Sequence, residues 1–250
     1  MMNLYGHSPA VVAGFGTLSR RALVSVILLA LLMVSGGDVA VAQPAPAASQ
    51  DRPLDVASSR IYVLVGKSGL VGHVHAVEAR LAGGNLRLGA TTQAGQWTFD
   101  MRSFMADTPA ARTMLGLAGE IDASTREQTN ANMLGPEVLD VARHPTATFR
   151  IDSALPSAQA RPQAGAAYDL RGAFVLKGVE RPLAVTAVVE DRGGTLLLRG
   201  SFALRQSAYG MKPYAKFGGM VGVADELKIW GDVWLPAGQA QPLPARTPPP

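Results

Sequence analysis

Thr146-Ala147-Thr148-Phe149-Arg150-Ile151-Asp152-Ser153 is the stretch on which the reading of the fold turns. Phe149 and Ile151 alternate with Thr148, Arg150 and Asp152. A period of two sends neighbouring side chains to opposite faces of an extended chain, here one dry and one wet. The pattern recurs towards the C-terminus, where Leu196, Leu198, Phe202 and Leu204 alternate with Arg199, Ser201 and Arg205. Working outward, short apolar runs broken by Gly, Asn, Asp or Pro predict eight strands: Arg60 to Val65, Val71 to Leu81, Gln96 to Met101, Thr146 to Ser153, Tyr168 to Leu176, Leu183 to Glu190, Thr195 to Arg205 and Leu227 to Leu235.

Eight antiparallel strands leave two exposed edges unless the sheet closes, and closure at that number gives an interior that holds side chains or one slender ligand. The expected fold is therefore all-β, an eight-stranded antiparallel barrel, with a two-sheet sandwich as the competing arrangement. Ser103 to Arg143 lacks the alternation. Ser124 or Thr125 can cap a helix there, with Glu127 in its first turn and Gly135-Pro136 at its end, so the segment predicts a helical crossover of one or two helices. Met101, Phe104, Met105, Met114, Leu115 and Leu117 around it suggest a soft apolar lid over a barrel mouth.

The ends of the chain differ from its middle. Arg20-Arg21 precedes an apolar run from Ala22 to Val34, and Ala40-Val41-Ala42 offers small residues for cleavage, so residues 1–42 read as a secretory signal peptide. The run is short for a bilayer of about 30 Å, so no integral span is expected after cleavage. The paired arginines leave the general secretory and twin-arginine routes open. Residues 43–54 read as a flexible linker, 55–235 as one folded barrel, and 236–250 as a Pro-rich disordered tail; Ala154 to Ala167 reads as an enlarged loop. The expected location is periplasmic or secreted.

Composition removes several functions. With 48% hydrophobic residues the 250-residue chain is no disordered polymer, and with no Cys it has no disulfide, thiolate metal site or cysteine nucleophile. The net charge of +4 comes from scattered Lys and Arg rather than a cluster, so no nucleic-acid partner is expected. No Gly-x-Ser-x-Gly elbow, phosphate-cradling Gly loop or His-Glu-x-x-His helix occurs. His73 and His75 stand two apart, so their rings leave one face, and a third nitrogen from His144 would complete a metal site; the alternative places the pair on the wet face of a strand. Glu190-Asp191 and Asp225-Glu226 fit solvated strand ends. Arg205, Ser207 and Tyr209 form either a strand-end network or a polar binding end.

Four blocks in order resemble the YceI-like family of secreted, lipocalin-like, polyisoprenoid-binding proteins. They are Asp55 to Val63 with Gly69-Leu70-Val71-Gly72; Leu139 to Phe149 with Pro145 leading the strand; Tyr168 to Gly172 continuing through Leu176-Lys177-Gly178-Val179-Glu180-Arg181-Pro182-Leu183; and Phe202 to Gly210 followed by Val223 to Leu235. The resemblance spans about Asp55 to Leu235. It departs at Ser58 and Asn132, near positions where many members carry His, and in the Ala154 to Ala167 insertion. It implies an elongated lipocalin-like barrel that binds an isoprenoid or similar long-chain amphiphile without transforming it, with no cofactor beyond a bound lipid or quinone-like ligand.

On that reading the inward faces supply the ligand-binding residues Val63, Phe99, Met101, Phe104, Phe149, Ile151, Phe174, Leu176, Phe202, Leu204 and Ile229. Asn132, Arg205 and Tyr209, with Ser207, are expected at a polar end, where an Arg suits a phosphate or quinone oxygen. Non-enzymatic storage or transport of the lipid in the bacterial envelope is the leading function, with a homodimer possible. The alternatives are a metal-binding envelope enzyme using His73, His75 and His144, and a filled-barrel interaction module presenting Trp230 and Trp234.

Overall fold

A computed structural model describes residues 50–158 and 165–236. The expected signal peptide, most of the linker, the middle of the enlarged loop and all but the first residue of the Pro-rich tail lie outside the described residues. Ten strands and two helices follow one another as β1 (Arg52–Pro53), β2 (Arg60–Ser68), β3 (His75–Leu86), β4 (Gly95–Ala106), α1 (Pro109–Met114), α2 (Ala123–Leu134), β5 (Thr146–Pro156), β6 (Ala166–Leu176), β7 (Val179–Arg192), β8 (Thr195–Arg205), β9 (Ala215–Lys216) and β10 (Val221–Leu235).

The sheet runs β3-β2-β10-β8-β7-β6-β5-β4 and closes by pairing β3 with β4, while the short β1 and β9 attach to β3 and β10. All eight barrel pairings are antiparallel. Closure satisfies both edges, which is why a sandwich does not form. Register puts like with like: Phe149 stands between Trp97 and Phe174, and Ile229 between Val63 and Phe202. These side chains point inward, so the core is the bore of the barrel.

Several boundaries depart from the sequence reading. The second strand begins at His75 rather than Val71, because Gly69 and Gly72 adopt positive φ and the chain between them is a loop that touches β10 only by a parallel bridge from Val71 to Val221. The folded unit starts at Arg52 rather than residue 55: Arg52 pairs with Leu86, and the buried Leu54 donates its N–H to Gly84 O at 2.9 Å. Both ends of the enlarged loop are strand, with Ala154 opposite Leu170 and Pro156 opposite Tyr168. Tight strand packing explains Gly172, where a Cβ would lie 1.9 Å from Arg150 O beside the irregularity in β5.

The crossover contains two helices. Strand β4 runs to Ala106, so the irregular segment begins later than Ser103. α2 is capped by Asp122 rather than Ser124 or Thr125: its carboxylate accepts from Thr125 N at 2.9 Å and from Ser124 Oγ at 2.8 Å. Gly135 closes the helix as expected.

Candidate functional site

One end of the bore is filled and the other is hollow. At the filled end Trp97 and Phe149 meet edge to face at 6.1 Å, and together with Leu170, Leu198 and Val233 they border a residual void of only about 40 Å³. At the other end lies a cavity of about 560 Å³, within the size range of small-molecule pockets. Phe99, Phe174, Phe202 and Ile229 border both spaces and form the floor between them. A blind pocket with an aromatic floor is thus present, rather than a uniform tunnel.

The expected lining residues divide along this line. Val63, Phe99, Met101, Phe104, Phe174, Leu176, Phe202, Leu204 and Ile229 line the large cavity, as does Asn132 from α2. Phe149 and Ile151 do not: they face inward with the right parity but lie too far along β5, and both are almost wholly buried in the filled end. Parity identifies a face and is silent about depth along the axis. Tyr209 is buried but does not line the cavity, its ring 5.9 Å from Phe174 and its phenol pushed up by burial. Arg205 is exposed outside the cavity and precedes the turn Gln206–Tyr209, where Ser207 donates from N (2.8 Å) and Oγ (2.6 Å) to Asp225. That cluster is a strand-end network, and its hydrogen bonds hold Asp225 below the usual carboxylate range.

The cover is different in kind from the Met-rich lid that the sequence suggests. Met105 and Met114 are exposed, and α2 lies over the hollow end instead, presenting Ser124, Thr125, Gln128, Thr129, Asn132 and Met133 to the cavity. These positions recur at the helical spacing of one face. No residue of α2 is buried. Gln128 donates to Asn132 at 3.1 Å and Thr129 to Thr125 O at 2.8 Å, so the polar face is partly self-satisfied. Apolar strands therefore form the walls, and hydrogen-bonding groups gather at the mouth.

The residue that sequence reasoning missed most completely is Asp107. Its side chain has no solvent exposure and sits at φ 54, just after β4. Oδ2 lies 2.6 Å from His75 Nδ1; Oδ1 accepts from Arg112 Nη1 at 2.9 Å and from Ala76 N at 3.1 Å. Burial pushes the carboxyl up, but the hydrogen bonds from His75 and Ala76, with Arg112, outweigh it and hold the group below the usual range. Arg112 also donates to Gly119 O and Ala118 O, tying down the turn between the helices. The buried His75 ring lines the cavity with Nδ1 engaged, so Nε2 is its available polar atom. His73 lies edge to face with it at 6.2 Å and lines the same mouth, so the pair faces the cavity rather than the wet side. His144 instead packs beside Gly178, and among the described residues no three His, Asp or Glu gather to hold a metal. The three-nitrogen arrangement is not formed. Gln206, buried and bonded to Ala224 O at 2.8 Å, and Tyr214 complete the polar rim.

A model of the YceI-like domain matches residues 53–233. The chain belongs to the YceI-like family. Among solved structures, that of Burkholderia cenocepacia BcnA is similar over 72% of this chain and 98% of its own, at 18% identity and a TM-score of 0.52. A polyisoprenoid binding domain from Saccharophagus degradans, implicated in plant cell wall breakdown, is similar over 76% of this chain and 99% of its own, at 12% identity and a TM-score of 0.48. No curated protein matches the chain. At 18% identity the BcnA likeness speaks for the fold alone.

Proposed function

We propose that this YceI-like protein is a non-enzymatic carrier or store for an isoprenoid or similar long-chain amphiphile in the bacterial envelope. The observation that carries the reading is the division of the cavity into apolar walls and a polar mouth. Each methylene removed from water contributes about 0.8 kcal/mol, so a five-carbon unit supplies on the order of 4 kcal/mol before ordering costs. Such a chain gains from the walls without needing exact partners, while its polar end meets His75 Nε2, Gln206 and the hydroxyl and amide groups of α2. The polyisoprenoid named for the Saccharophagus domain and the signal-like segment before residue 43 agree with an envelope lipid as the ligand.

The test is mass spectrometry of an organic extract of the protein, repeated with Leu204→Asp. Leu204 lines the cavity and is only half-buried, so the substitution places a carboxylate against the ligand without entering the filled end. The wild-type chain is expected to yield an apolar compound in stoichiometric amount and the variant, folded by circular dichroism, to yield little. A wild-type extract that is empty, from protein that also fails to take up quinones and polyprenyl phosphates, overturns the reading.

A further inference from the structure

Eight large apolar side chains are exposed among the described residues, and four of them stand together. Leu70 and Val71 belong to the loop between β2 and β3; Phe217 and Met220 belong to the loop between β9 and β10. Leu70 and Phe217 are 84% and 77% exposed. The loops are fastened to each other: Val71 N donates to Met220 O at 3.1 Å, Val71 bridges Val221, and a Cβ on Gly69 would lie 2.3 Å from Gly219 O. Their next residues, Gly72 and His73 on one side and Val221 and Gly222 on the other, line the cavity. An exposed apolar tip thus continues directly into the wall of the pocket.

The two segments that carry the tip bear charge of one sign. Residues 61–77 and 206–224 contain Lys67, Lys212 and Lys216 and not one Asp or Glu. Lys67 and Lys216 are exposed, and Lys216 Nζ stands 5.5 Å over the Tyr214 ring, while Lys212 is paired with Glu137 at 2.7 Å. Apolar side chains at a loop tip with lysines behind them match the boundary of an anionic bilayer, which buries the first in its acyl region and attracts the second. No helix among the described residues is long and apolar enough to cross a membrane.

We infer that the paired loops Gly69–Gly72 and Phe217–Val221 dock the barrel mouth-first on an anionic lipid surface, through which the ligand enters and leaves. This rests on the carrier reading for its purpose, but the contact is measured separately. The experiment is co-sedimentation of the full chain with vesicles of phosphatidylethanolamine and phosphatidylglycerol, compared with phosphatidylcholine alone. It is repeated for Leu70→Ser/Phe217→Ser and for Lys67→Gln/Lys216→Gln; any contribution of the N-terminal segment is common to all three proteins. The apolar double variant is expected to lose at least ~10-fold in partition on both lipids, as removal of two large buried side chains requires. The lysine variant is expected to lose the preference for the anionic vesicles, and the wild-type preference to fade as salt is raised.

Both variants, altered only at exposed positions outside the cavity lining, should keep the wild-type unfolding midpoint. Equal sedimentation of wild type and the apolar variant overturns the docking surface, as does a wild type that binds no vesicle. A self-associating wild type made monomeric by Leu70→Ser/Phe217→Ser, with vesicle binding unchanged, assigns the patch to a second copy and also overturns it. An empty cavity with vesicle binding intact refutes the carrier reading and leaves the docking surface standing.

Discussion

Replacing Asp107 by Asn keeps the shape of the buried side chain and removes its charge. In the wild type the carboxylate balances Arg112, whose side chain is 11% exposed, and accepts from His75 and Ala76. Breaking one partner of a buried ion pair costs about 3–5 kcal/mol, because the other charge is left uncompensated. The lower end applies, since Arg112 keeps the carbonyls of Ala118 and Gly119 as acceptors. For a domain of this size roughly 3 kcal/mol lowers the unfolding midpoint by about 6–12 °C. The pH dependence follows from the direction of the Asp107 shift. Its carboxyl titrates below the ordinary value of 3.8 in the folded state, so its contribution is complete above 3.8 and is lost as pH falls through the lower folded value. Calorimetric melts of both proteins should therefore differ at neutral pH and converge at strongly acidic pH. A difference under about 2 °C at neutral pH, below what ~1 kcal/mol produces in such a domain, would refute the claim that the triad fastens the crossover to the barrel. So would a gap that persists unchanged into acid.

Three further outcomes are expected. Gly172→Ala forces a Cβ into the carbonyl of Arg150 and should destabilise the barrel by roughly 1–3 kcal/mol in a denaturant titration, with the slope of the transition unchanged. Asp122→Ala removes the cap of α2 and should speed amide exchange across Ala123–Leu134 while leaving strand amides as protected as before, since α2 buries no residue. Extraction of the bound compound should lower the unfolding midpoint, and re-addition of a long-chain quinone or polyprenyl phosphate should restore it in a concentration-dependent way; a midpoint indifferent to both would contradict occupancy of the cavity.

The barrel itself was legible because alternation is a local property. Thr195 to Arg205 was bounded to the residue, and the other strands differed mainly by extensions into turns whose polarity resembles a wet strand face. The interior list was legible in parity but not in depth: Phe149 and Ile151 share a face with Phe99 and Leu204 yet serve the filled end. Asp107 was invisible for a different reason. It lies 32 residues from His75 and follows a strand that outran its predicted end, so nothing local marks it as the partner of a histidine. The covering role of α2 is not legible in the sequence because its cavity-facing residues, Met133 apart, are Ser, Thr, Gln and Asn, which in an isolated helix read as the side turned to water.

The two ends of the bore have opposite energetic roles. A closed apolar void costs about 24 cal/mol per Å³, which over 560 Å³ gives a ceiling on the order of 10 kcal/mol, as large as the whole stability of many domains. The mouth of this cavity is accessible beneath a helix with no buried residue, so solvent relieves part of that penalty and the ceiling is not reached. The remainder must be offset elsewhere, and the packing is found in the filled end and the floor: Trp97 against Phe149 in the first, Phe174 against Phe99, Phe202 and Tyr209 at the second, and eight strand pairings around them. A barrel closed at one end by its own aromatic residues can leave the other end unfilled, and an apolar chain entering there completes the core that the sequence leaves open.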